Sequence, residues 1–96
     1  MVAPVNFLRI GNTPTRGGHA IAHFGTASAG HVRVVLYDLA GRRVRTLADE
    51  SFAAGPHDRT WDGLDDSGQP VGHGVYFARI ELPDGSRING RIVILD

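Results

Sequence analysis

The stretch from Trp61 to Tyr76 constrains the fold of this 96-residue chain more than any other. It has a large aromatic residue at each end, and the interval is rich in Asp, Gly, Ser and Pro. Aromatic side chains favour burial, whereas the intervening residue types favour tight turns. We therefore predict a strand that ends at Trp61, a long ordered turn, and a strand that begins near Val75. The residues expected to form a structural clasp between these strands are Trp61, Asp62, Gly63, Gly74 and Tyr76.

The rest of the chain has the pattern of an all-β domain. Short runs of alternating apolar and polar residues are separated by turn residues roughly every ten positions, and no window has a helical period. We predict one domain, residues 1–96, with a seven-stranded antiparallel immunoglobulin-like or fibronectin-like β-sandwich fold. The predicted strands are 5–10, 19–26, 31–38, 43–47, 57–62, 75–82 and 87–95. Segment 15–18 is expected to be a flexible bend and segment 48–56 a connection, with Phe52 covering the core.

The charge balance excludes several kinds of partner. Ten arginines balance ten acidic residues, so the chain has no net charge that would attract nucleic acid or an anionic membrane surface over long distances. No apolar run approaches the ~20 residues of a membrane span. We therefore expect no nucleic-acid partner and no membrane insertion. The chain has no cysteine, which excludes disulfides and cysteine-ligated metals.

The sequence contains no recognisable catalytic constellation. The four serines lie in predicted turns, and none has a general base at a recognisable spacing. No glycine-rich loop joins a strand to a helix, as phosphate binding would require. His19 and His23 are about 13 Å apart along one predicted strand, too far to chelate a single ion. We expect no enzyme activity, no catalytic residue and no cofactor.

Three aspartates in the central loop allow two interpretations. Asp62, Asp65 and Asp66 are candidate oxygen ligands for a structural calcium ion, although their spacing is not that of an EF-hand. Alternatively, the carboxylates of Asp62 and Asp66 accept hydrogen bonds from backbone N–H groups and make the turn rigid. We favour the turn interpretation.

Two sets of residues are candidate partner-binding surfaces. The first has the strand parity opposite to the predicted core and would form an outward apolar patch, unless loops such as 48–56 cover it. Its members are Val35, Tyr37, Val75, Phe77, Val93 and Leu95. The second is the cluster of Arg42, Arg43 and Arg45, because arginine binds carboxylates and phosphates bidentately. Its alternative role is to place charge on an edge strand and so prevent unwanted strand pairing.

Several segments together resemble the FlgD-type immunoglobulin-like domain, named for the flagellar hook-capping protein. The segments that carry the resemblance, which covers nearly the whole chain, are 12–17, 37–47, 54–57, 61–71, 74–77 and 91–96. The chain is also similar to C-terminal β-sandwich modules of secreted bacterial proteins, including type IX sorting domains. The resemblance implies a non-catalytic, extracytoplasmic module.

This resemblance leads to three functional hypotheses. The first is a C-terminal module of a longer exported bacterial protein, used for sorting, anchoring or assembly. Its partners would be the parent chain, the secretion machinery or copies of itself. The opening residues lack the basic and apolar regions of a signal peptide, so we expect any such signal to lie elsewhere in the parent. The second is a self-assembling structural subunit of an extracellular oligomer or filament, and the third is a carbohydrate-binding module.

Overall fold

The computed structural model describes residues 3–16 and 19–95, which form eight strands and no helix. The first four strands are β1 (Phe7–Gly11), β2 (Thr15–Arg16), β3 (Ile21–Thr26) and β4 (Gly30–Tyr37). The last four are β5 (Arg43–Phe52), β6 (Gly55–Thr60), β7 (Gly74–Glu81) and β8 (Arg87–Leu95). The all-β prediction is confirmed.

The strands form two sheets. One has the order β1-β3-β6 and is antiparallel throughout, and the other has the order β2-β8-β7-β4-β5. In the five-stranded sheet, β2 runs parallel to β8, with Thr15 opposite Ile94, so this sheet is mixed. The predicted seven-stranded antiparallel arrangement is therefore wrong in this detail. After β1 the chain leaves the three-stranded sheet and joins the edge of the other one, and this crossing adds the eighth strand.

The predicted bend at 15–18 needs the same correction. Thr15 and Arg16 are strand residues, and the side chain of Thr15 is buried whereas Arg16 is exposed. Gly17 and Gly18 lie outside the described residues. At the crossing, the Thr13–Pro14 peptide bond is cis, and the Thr13 hydroxyl accepts a hydrogen bond from the Val93 backbone at 2.9 Å. The N-terminal segment is thereby tied to the last strand.

The core lies between the sheets and consists of two buried clusters. The first contains Ala22, Phe24, Val32, Val34, Ala48, Phe52, Ile80 and Leu82. The second contains Ala20, Leu36, Trp61, Tyr76, Ala78, Ile92 and Ile94. Leu8, Ile10 and Leu47 pack against both clusters and make the core continuous. The alternation expected for buried strands is present along β3, β4 and β7.

Strand β5 is twice as long as predicted. It pairs with β4 as far as Phe52, so the predicted connection 48–56 is reduced to Ala53 and Ala54 before β6 begins. The register of this pair shifts between Val34 and Val35, which marks a β-bulge. A bulge breaks the alternation by which a strand is recognised. Phe52 is buried in the core, as predicted.

The two sheets approach each other closely at Gly90 on β8. A Cβ atom at this position would lie 2.9 Å from Cγ1 of Ile10, which projects from β1 on the opposite sheet. Real Cβ atoms do not come so close to a neighbour, so glycine is what allows the contact. The side chains of β1 thus reach the backbone of the five-stranded sheet.

Candidate functional site

The two aromatic residues that border the central loop meet in the core. Trp61 is fully buried and Tyr76 is nearly so, and their rings pack edge to face with centroids 5.5 Å apart. Each ring has one polar atom, and both atoms reach the loop. Nε1 of Trp61 donates to the Leu64 carbonyl at 2.8 Å, and the Tyr76 hydroxyl donates to the Gly72 carbonyl at 2.6 Å. Burial is therefore achieved without an unpaired polar group on either ring.

Burial also affects the ionisation of Tyr76. Desolvation raises the pKa of its hydroxyl above the ordinary value, and the negative charge of Asp38 raises it further. The neutral phenol, which can donate its hydrogen bond to Gly72, is the form present at physiological pH.

The loop between the two rings is a small hairpin of its own. The Val71 amide donates to the Gly63 carbonyl at 2.9 Å, and Leu64 forms an antiparallel bridge with Pro70. At the tip, the amide of Gly68 donates to the carbonyl of Asp65. The ordered turn predicted from the sequence is present, with more backbone pairing than residue types alone could indicate.

The three loop carboxylates accept hydrogen bonds from different regions. Oδ1 of Asp65 accepts from the backbone and hydroxyl of Ser67 and from the backbone of Gln69. Asp62 accepts from the Leu64 amide. Residues 3–16 and 19–95 contain no group of three or more His, Cys, Asp or Glu residues that could hold a metal ion. The geometry therefore supports the turn interpretation and does not bring Asp62, Asp65 and Asp66 together as a calcium site.

Asp66 connects the loop to an edge of the five-stranded sheet. Its amide donates to the Val44 carbonyl at 2.9 Å, and its carboxylate accepts from the Thr46 amide at 3.1 Å. Both partners belong to β5, the outermost strand on that side. Unpaired N–H and C=O groups at a sheet edge are a template for strand addition by another chain. Here the loop binds two such groups, the Val44 carbonyl and the Thr46 amide.

Two residues of the predicted arginine cluster also act within the chain. Nη1 of Arg45 lies 3.4 Å from a carboxylate oxygen of Asp62 and 3.3 Å from the Asp65 carbonyl oxygen. Nε of Arg43 lies 3.7 Å from a carboxylate oxygen of Asp66. Both side chains therefore attach the loop to β5. The alternative interpretation of this cluster was that it places charge on an edge strand. In the structure, Arg43 and Arg45 also pair with carboxylates of the loop.

Arg42, the third member, belongs to the turn between β4 and β5. Its backbone amide and its Nε both donate to the carboxylate of Asp38, each at 3.0 Å, and the Ala40 amide donates as well. The hydrogen bond from the Arg42 backbone is the largest cause of a lowered pKa for Asp38. A partner that bound Arg42 would compete with Asp38 for the guanidinium.

The outward patch predicted on the five-stranded sheet is present in part. Tyr37 on β4, Phe77 on β7 and Arg91 on β8 are cross-strand neighbours, so their side chains share the outer face. Phe77 is 36% exposed and Leu95 is 41% exposed, while Tyr37, Val75 and Val93 are half-buried. Val35 is only 2% exposed and is not available to a partner. It lies on β4, an interior strand that is paired with β5 on one side and with β7 on the other.

Four further residues of this face have no place in the sequence-based prediction. Arg79, Asn89 and Leu39 line a shallow groove of about 410 Å³ together with Tyr37 and Phe77. The Arg79 guanidinium lies 5.5 Å from the centroid of the Tyr37 ring, and its Nε donates to Asn89 at 3.3 Å. The fourth residue is Arg91. The parity of β7 and β8 predicts that Arg79, Asn89 and Arg91 point outward. The predicted patch does not include them because it was limited to apolar residues.

Asp65 makes the loop a source of acid sensitivity. Hydrogen bonds from the Ser67 hydroxyl and the Gln69 amide lower the pKa of its carboxyl group in the folded state. Because the folded form then binds its proton less readily than the unfolded form, this contribution to stability is present above the unfolded pKa of about 3.9 and is lost progressively as the pH falls from there through the lower pKa of the folded form. We expect Asp65→Asn to lower the thermal midpoint at pH 7 and to have a smaller effect at pH 2.5. Thermal unfolding at both pH values tests this, and an equal effect at both would contradict it.

The geometry defines the class of protein as an immunoglobulin-like β-sandwich that presents an apolar and cationic face, and comparison with known proteins assigns the family. The profile of the FlgD Ig-like domain family matches residues 11–86, and the chain belongs to this family. A comparison with curated protein sequences found no match. Within the described residues, no helix has the length and apolar character that crossing a membrane requires.

One similar solved structure is that of PorZ from Porphyromonas gingivalis. It is described as an essential bacterial surface component of the type IX secretion system. The two structures align with a TM-score of 0.63 at 16% sequence identity, over 93% of this chain. At this identity the likeness concerns the fold. The chain spans 11% of the PorZ chain, so it corresponds to a small part of that protein.

Proposed function

We propose that this domain is a non-catalytic interaction module of an exported bacterial protein, used for sorting, anchoring or assembly. The observation that carries the proposal is the outer face of the five-stranded sheet, where Phe77 is exposed next to Tyr37 and Leu95 is exposed farther along β8. Monomeric domains rarely leave contiguous apolar surface uncovered unless a partner binds there. The proposed mechanism is recognition of a protein surface by a preformed rigid face.

The comparisons support the cellular setting of this proposal. The FlgD Ig-like family and the fold shared with a bacterial surface component both favour an extracytoplasmic location. The size of the domain relative to PorZ favours a module attached to a larger protein. As part of this proposal, the domain is the C-terminal module of a longer parent chain, with protein partners and no cofactor.

The proposal is tested in the parent protein in its own bacterium. We expect deletion of the domain to reduce the amount of parent protein that reaches or stays at the cell surface. A Phe77→Ser variant of the intact parent should reduce it too, because the fold remains while the face changes. Fractionation followed by immunodetection measures both. Unchanged surface protein in the deletion strain would contradict the proposal, whereas loss in the deletion strain alone would place the contact on another face.

A further inference from the structure

We propose that the groove beside Tyr37, Phe77 and Arg91 binds an extended segment of a partner protein in which a carboxylate lies next to an apolar side chain. The proposal rests on the proposed function and specifies the chemistry of the partner. It follows from the apolar floor of the groove, from one arginine that has no partner among the described residues, and from the hydrogen bonds and ion pairs that engage the nearby carboxylates.

The floor of the groove offers apolar contact at its middle and at its rim. Tyr37 and Phe77 are directly opposite each other across β4 and β7, and both line the groove. Leu39, in the turn that follows β4, is 72% exposed at the rim. An exposed leucine beside an exposed aromatic ring suits the insertion of an apolar side chain.

The cationic part of the site is Arg91. It is directly opposite Phe77 across β7 and β8 and is exposed. No hydrogen bond or ion pair engages its guanidinium within residues 3–16 and 19–95. Arg79, in the next row, is by contrast fixed by the Tyr37 ring and by Asn89. One arginine is thus preorganised over the floor, and the other is available to bind a ligand.

The carboxylates nearest the groove are already engaged. Asp38 lines it, but its oxygens accept from Arg42 and from two backbone amides. Glu81 lies two residues beyond Arg79 on the same strand, between Arg33 at 3.8 Å and Arg87 at 3.9 Å. The groove therefore has uncompensated positive charge, and the complementary ligand group is an anion. Arginine favours a planar carboxylate because two of its N–H groups can bind both oxygens.

A protein segment fits these observations better than the other two occupants. Two copies of this chain packed face to face would bring Arg79 and Arg91 of each into one interface, where like charges repel. A neutral sugar would leave the Arg91 guanidinium without a counter-ion. An extended peptide with an apolar and an acidic residue two positions apart points both side chains to the same face, so it supplies both groups to the groove.

The test uses the isotopically labelled 96-residue chain and three synthetic pentapeptides with serine at the odd positions and leucine at the second position. The fourth position, which shares the leucine face of an extended peptide, is aspartate, asparagine or lysine. We expect the aspartate peptide to shift the amide resonances of Phe77, Arg79 and Arg91 in a saturable manner. The asparagine peptide should bind about threefold to tenfold more weakly, and the lysine peptide more weakly still, because an interfacial charge pair is lost or reversed.

Two variants locate the charge effect. Arg91→Gln should weaken binding of the aspartate peptide about threefold to tenfold while retaining the amide spectrum of the folded domain. Arg9→Gln is the matched control, because Arg9 is an exposed arginine on β1 of the other sheet. It should change the affinity by less than about twofold. An equal loss in both variants would overturn the proposal, since net charge alone would then explain binding.

Other outcomes separate this proposal from the proposed function. Equal binding of the aspartate and asparagine peptides at the same resonances would overturn the acidic partner but leave an apolar docking face. Shifts caused by cellohexaose and by no peptide, or shifts caused by raising the protein concentration alone, would overturn it in favour of a glycan or a second copy. Binding as expected combined with normal surface delivery of the deletion parent would contradict the proposed function only.

Discussion

Replacement of Trp61 by alanine is expected to lower the free energy of unfolding by about 3–5 kcal/mol. Trp61 is fully buried. Its ring packs edge to face against Tyr76, and its Nε1 donates to the Leu64 carbonyl of the loop. Its removal leaves a cavity that the surrounding strands cannot fill. A domain of this size has a total stability of about 5–10 kcal/mol, so the variant should be close to unfolding at 37 °C. Urea titration followed by far-ultraviolet circular dichroism measures the loss, because Trp61 is the only tryptophan.

A Trp61→Phe variant separates the volume of the ring from its polar atom. Phenylalanine keeps a buried aromatic ring but cannot donate to the Leu64 carbonyl. We expect a loss smaller than that of the alanine variant, at about 1–3 kcal/mol. If the alanine variant lost less than about 1 kcal/mol, Trp61 would not be at the centre of the fold.

Phe24→Ala should have an effect of similar size, about 3–4 kcal/mol, in the other half of the core. Phe24 on β3 is fully buried and meets the Phe52 ring edge to face, with centroids 5.2 Å apart. The His57 ring lies on another side, 5.8 Å away. The alanine variant would therefore lose the ring contacts that β3 makes with β5 and β6. Urea unfolding measures it, with Trp61 fluorescence as a signal from the opposite cluster.

Phe24→Leu is the control for this second variant. Leucine fills most of the space and should cost about 1–2 kcal/mol, mainly through the lost aromatic contact. Fluorescence and circular dichroism should give coincident transitions, since Leu8, Ile10 and Leu47 join the two clusters. Two separate transitions in Phe24→Ala would contradict the single continuous core.

Most of the strands could be predicted from the sequence, because the alternation of apolar and polar residues is a local pattern. The alternation of Val32, Val34 and Leu36 predicts the buried side of β4, and the aromatic residues bordering the loop predict its buried ends. The second half of β5 was missed for a physical reason. A bulge interrupts its alternation, and residues 49–51 are exposed, so the segment has the composition of a loop although it pairs along its whole length.

The candidate surfaces were less predictable because they depend on contacts between distant segments. Nothing local to Arg45 indicates that its guanidinium reaches Asp62, which follows 17 residues later. The neighbourhood of Phe77 and Arg91 likewise arises only from the register of β7 with β8. Parity identified Val35 as outward, but parity does not show how deeply a residue of an interior strand is buried.

The pairing of β2 with β8 has a consequence for how the chain folds. Thr15 and Ile94 are partners although 79 residues separate them, and the Val93 amide also binds Thr13. The N-terminal crossing therefore cannot be completed until the last strand is in place. Domains dominated by such distant pairings fold on a timescale of about milliseconds to seconds, more slowly than helical bundles. During that interval the edge of β8 is open, and an extended segment of another chain can compete with β2 for it.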